Sequence, residues 1–158
     1  MKNFQNKAKI IKVSKVIRAI LFAGLVVWVI GIPVVALQTV VLIKTHAVAK
    51  PSAFYLQGGV VLLLVLSFIV NLRLFRFFDR LKNGHLFDAQ TVGHLDAAGK
   101  WWIVLWFFEV LYYEMGHGIF HVSNAWDSGS LFAGLTLIFV AWLLKEAQEL
   151  QEEQELTV

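Results

Sequence analysis

A chain of 158 residues has room for one compact unit, and at 58% hydrophobic and 16% charged it lies well below the roughly 25% charge of soluble domains. The absence of cysteine excludes disulfide frameworks, thiolate metal sites and thiol catalysis. The net charge of +3 comes from bases that flank apolar runs, a pattern that fixes loops at a membrane rather than one that binds nucleic acid directly.

The first element opens with a basic arm, Lys2, Lys7, Lys9, Lys12, Lys15 and Arg18. Behind it runs Ala19 to Ile43, 25 residues without a formal charge. A run of about 18 or more apolar residues crosses a hydrocarbon core as a helix, so 19–43 is read as the first span. A cleavable signal peptide is the competing reading, given Ala47-Val48-Ala49, but both the apolar stretch and the basic leader are too long for one. Pro33 removes a backbone donor in mid-span and predicts a kink.

The second span is expected over 52–72, with Pro51 in its first turn, where the missing N–H costs nothing. Helical spacing does not stop at Leu72: Phe75, Phe78 and Leu81 continue it, with Arg73, Arg76 and Arg80 on other faces. Asn83-Gly84 is a helix stop, and Asp88 is placed to cap a new helix that enters the third span, 101–120. The segment 73–100 therefore reads as a helical hairpin projecting into the cytoplasm; an amphipathic loop lying on the lipid surface is the alternative. A fourth span is expected over about 129–148, and residues 145–158 form an acidic, solvated helical tail.

Twelve of the fourteen Lys and Arg residues fall in the N-terminal arm, the hairpin and the tail, against Lys44 and Lys50 in the other connector. The positive-inside rule then puts both termini in the cytoplasm. The expected fold is an all-α membrane protein, a four-helix transmembrane bundle with helices 2 and 3 extended as a cytoplasmic hairpin.

The stretch Leu72 to Trp102 and the ending Phe132 to Val158 resemble a bacterial family of four-span membrane proteins, domain-of-unknown-function family 2975. The resemblance rests on Leu74, Phe75, Phe78, Gly84, Phe87, Val92, Leu95, Gly99 and the terminal Leu156-Thr157-Val158. Thr91 and Ala147 depart from it, the family tending to Asn and Gly there. It implies a bacterial cytoplasmic membrane protein and supplies no catalytic residues. It also implies a cytoplasmic partner such as a small helix-turn-helix regulator, because members are often encoded beside one.

Polar side chains interrupt the third span. At 100° per residue, Glu109, Tyr113, Glu114, His117 and His121 fall on one arc of about 140°. Charged groups facing hydrocarbon cost a few kcal/mol, so this arc is expected to face the protein interior, with Glu109 near mid-membrane. Three roles fit: hydrogen bonding between helices, a proton- or ion-responsive site, and a divalent metal site on Glu114, His117 and His121, with His46 and Asp127 as the available additional ligands. Gly58, Gly59, Gly129, Ala133 and Gly134 fit close helix approach.

Outside the spans, Arg73, Arg76, Arg80 and Lys82 are candidates for lipid headgroup or partner contact, or plain topology determinants. His85 and His94 read as ordinary exposed residues, and the basic arm and acidic tail lie on one side where they are free to pair. No nucleophile–base set, phosphate loop or nucleotide motif supports an enzyme, and no cofactor is implied. The leading expectation is a non-enzymatic scaffold or sensor with a cytoplasmic partner; an oligomeric channel or carrier using the Glu/His arc is the alternative.

Overall fold

The computed structural model describes residues 2–44, 51–85, 88–120 and 129–156. Among these the chain forms four helices, α1 (Lys2–Lys44), α2 (Pro51–Lys82), α3 (Ala89–Phe120) and α4 (Gly129–Leu156). Three of them contain stretches long and apolar enough to cross a membrane: Ala8–Val41, Gly58–Lys82 and Gly129–Leu150. Helix α3 does not qualify among the described residues, although a span over 101–120 was expected. Trp, Tyr and two glutamates dilute its aliphatic content, and the side chains of 116–120, the outer end of that expected span, lie outside the described residues.

Packing accounts for that dilution. The helices touch in chain order, α1 with α2, α2 with α3 and α3 with α4, and no other pair comes within 8 Å between Cα atoms among the described residues. The arrangement is an open row of antiparallel hairpins rather than the closed ring expected of a four-helix bundle. Helix α3 is covered on two sides by protein and can carry polar groups. Helices α1 and α4 are the edges, and they expose large apolar side chains such as Val27, Ile30 and Leu37, and Phe139 and Trp142.

Helix α1 passes through Pro33 without interruption in its helical assignment. The core sits at the α2–α3 turn end, where Phe77, Val92, Leu95 and Ala141 are buried together and Leu74, Phe78, Leu81, Leu137 and Leu144 pack around them. Helices α3 and α4 approach backbone to backbone. A methyl group at Gly99 would lie 2.9 Å from the carbonyl oxygen of Gly134, and one at Gly134 would lie 3.1 Å from that of Gly99. Of the small residues singled out from sequence, Gly134 and Gly59 pack closely, Gly59 against the Tyr112 ring, whereas Gly58 faces open space.

Candidate functional site

Among the described residues, the turn between α2 and α3 is the most fully bonded polar feature. Helix α2 ends in a Schellman motif: the His85 N–H reaches the Arg80 carbonyl at 3.1 Å and the Gly84 N–H reaches that of Leu81 at 3.0 Å. Gly84 takes φ 88°, a left-handed conformation in which a side chain would be strained. Asp88 then caps α3, its Oδ1 accepting the Thr91 N–H at 2.6 Å.

Arg80 ties the two helices together. Its Nε donates to Thr91 Oγ1 at 3.1 Å and its Nη2 to Asp88 Oδ2. The Thr91 hydroxyl in turn donates to the His85 carbonyl at 3.2 Å, so the fully buried Thr91 both donates and accepts. Burial opposes the charge on Asp88, but the bonds from Arg80 and Thr91 and the guanidinium charge outweigh it, holding the carboxyl down at about 2.

Of the four bases expected to meet lipid or a partner, two are engaged internally. Arg80 serves the turn, and Lys82 lies 3.7 Å from Asp79. Arg73 and Arg76 have no carboxylate partner among the described residues, and Arg76 is exposed. His94, expected to be exposed, is instead half-buried. Desolvation and then the charges of Arg73, Arg76 and Arg80 lower its pKa, with Asp88 opposing them.

The expected polar arc of α3 is divided. Glu109 is half-buried and its Oε2 accepts a hydrogen bond from Ser130 Oγ at 2.7 Å. Ser130 lies in the first turn of α4, so Glu109 stands level with the start of that helix rather than at mid-height of a four-helix core. The positive end of the α4 helix dipole favours an anion there. Tyr113 is half-buried, but Glu114 is exposed and does not face a protein interior. The His117 side chain and all of His121 lie outside the described residues, as do His46 and Asp127. No group of three His, Asp or Glu side chains suited to a metal is present among the described residues.

Two polar features escaped sequence reasoning. Arg18 closes the α1–α2 seam, with its Nε 2.6 Å from Asp79 Oδ1 and its guanidinium 5.0 Å from the centre of the Phe75 ring. Asn71 sits in the apolar run of α2 with its Oδ1 buried and unpartnered, and its amide nitrogen fills the space beside Gly24 of α1. It lines a small groove with Trp28, Ser67 and Trp102 where α1, α2 and α3 meet. The available signal was a lone Asn in an otherwise aliphatic stretch, opposite a Gly.

The chain is all-helical among the described residues, and three of its helices are long and apolar enough to cross a membrane, the pattern of a helical membrane protein. More particularly, the chain belongs to the family described as Protein of unknown function (DUF2975), whose model matches residues 43–158. That match takes in the last residues of α1 and all of α2, α3 and α4. No curated protein and no solved structure matches the chain.

Proposed function

We propose that the chain is a multi-pass protein of the bacterial cytoplasmic membrane with both termini inside, acting as a non-enzymatic scaffold or sensor through its α2–α3 turn. The observation that carries this reading is the Arg80–Asp88–Thr91 network. It ties the end of α2 to the start of α3, and Arg73 and Arg76 have no carboxylate partner among the described residues. A rigid cationic surface binds with little ordering cost, which favours recognition of an acidic protein face over a passive linker. A small helix-turn-helix regulator, the partner implied by the family resemblance, is the occupant to test. The hydrogen bond from Ser130 to Glu109 supports a role in joining α3 to α4 rather than in lining a conduit.

The test uses the full chain in nanodiscs of neutral lipid and a purified regulator of that class. Binding is expected to weaken at least about tenfold in Arg73→Glu/Arg76→Glu, because like charges at an interface oppose association. Equal binding by both forms, or none by the wild type, would remove the reading. Reporter fusions at both ends check the orientation, with both expected inside.

A further inference from the structure

The two edges of the helix row are built alike and carry opposite charge. On α1, the face turned away from α2 begins with the exposed Lys9, Lys12 and Lys15 and continues as an apolar stripe through Val16, Val27 and Ile30. Helical phasing places these on one side, opposite the buried Ser14 and Leu25. On α4, the face turned away from α3 runs through Leu135, Phe139 and Trp142 and ends in the exposed Glu146 and Glu153. Glu149 and Glu152 instead line a groove with Val92 and Asp96 of α3. Each edge is an apolar stripe that finishes in a charged cluster, basic on α1 and acidic on α4.

The two clusters lie at the same end and at matching height. Arg18 of α1 is level with Asp79 of α2, the neighbouring Arg80 bonds to Thr91 of α3, and the adjoining Val92 lines a groove with Lys145, Gln148 and Glu149 of α4. Arg18 and Lys145 are therefore roughly level. Lys15 and Lys12 then stand at the heights of Gln148 to Glu152, since both helices advance 1.5 Å per residue. Within one chain α1 and α4 make no contact among the described residues, α2 and α3 standing between them in the row.

We propose that α1 of one copy docks along α4 of a second copy in the same membrane, aligned by Lys9, Lys12 and Lys15 against Glu146 and Glu153. The occupant is a second copy because it brings an edge of the right length, the opposite charge and the matching level. Rotation about the membrane normal keeps the basic and acidic clusters on the same side. Such a contact uses different surfaces on the two copies, so it is heterologous and repeats until the row closes into a ring. Lipid tails alone would cover the apolar stripes but would not select acid at one edge and base at the other.

The chain has no cysteine, so disulfide trapping is unambiguous. Full-length Ala23→Cys and Phe139→Cys variants, carrying tags of different size, are mixed in liposomes and oxidised. The expected product is the mixed dimer, in excess over either like dimer. Reversing Lys9, Lys12 and Lys15 to Glu on the first chain should lower its yield about fivefold, a modest figure for exposed pairs. Reversing Glu146 and Glu153 to Lys on the second chain should then restore it, which also shows that the reversed chains fold. A yield indifferent to charge reversal, like dimers in excess, or no dimer each overturns the proposal. So does an internal disulfide in the diluted Ala23→Cys/Phe139→Cys double variant, which would place both edges in one closed bundle.

Discussion

Helix α3 has neighbours on two sides and α1 on one, and their seams are built from different chemistry. Against α4, α3 brings Gly99 to Gly134 until the two backbones nearly touch, and against α2 it buries Thr91 under Arg80. Against α2, α1 offers a half-exposed Arg18–Asp79 pair, a guanidinium over Phe75 and a Gly24–Asn71 contact. Close packing and satisfied buried polar groups hold a helix in one place, whereas half-exposed ion pairs contribute little. The difference teaches that the seams of α3 rest on close backbone packing and satisfied buried polar groups, and the seam of α1 on half-exposed polar and ring contacts.

The largest expected effect contrasts two glycines. Gly99→Leu drives a side chain into the Gly134 backbone and should cost about 3 kcal/mol in reversible unfolding in mixed micelles. Gly31→Leu on α1 meets nothing within 4 Å and should change stability by less than about 0.5 kcal/mol. Equal losses at both positions would break the contrast. Next come the two arginines. Arg80→Ala strands the Thr91 and Asp88 acceptors and should cost about 2 kcal/mol, seen as faster amide exchange across the turn. Arg18→Ala removes a pair whose side chains are 35% and 37% exposed and should cost no more than about 1 kcal/mol.

The α3–α4 seam can be tested at its other end with a smaller effect. Ser130→Ala removes the donor to Glu109 and should cost about 1 kcal/mol, whereas Glu109→Gln keeps an acceptor for Ser130 and should cost less than half of that. Matching losses would mean that the charge of Glu109, rather than the bond, is what the seam uses.

The smallest effects depend on pH and separate the turn from α1. His94 has a lowered pKa in the folded chain, so the unfolded chain binds its proton first. Its contribution is complete above the ordinary value of 6.5 and declines as pH falls below it, and His94→Gln should abolish that decline in melting temperature. Asp88 follows the same sign at lower pH. The stability it supplies is present above 3.8 and is lost as pH falls towards about 2. Amide exchange at Thr91 should report the loss, with α1 amides unaffected.

Much of this local structure is legible in the order of residues. Uninterrupted apolar runs announce α1, α2 and α4, Asn83-Gly84 ends α2, and Asp88 three residues before Thr91 announces the cap of α3. These signals are local, because a helix stop or cap is decided within one turn of backbone. Periodicity also gathered Glu109, Tyr113 and Glu114 onto one arc, but a wheel ranks faces without saying what covers them. Glu109 found Ser130, whereas Glu114 is exposed.

By itself, then, the sequence determined the class of protein, its helices and the chemistry of its turn, since hydropathy, spacing and caps act along the chain. Only the tertiary structure decided that the helices form an open row and that Arg18 meets Asp79. It alone put Gly99 against Gly134 and left two edges of opposite charge uncovered. Those facts depend on which face meets which neighbour, a choice made by shape and close packing between segments distant in sequence.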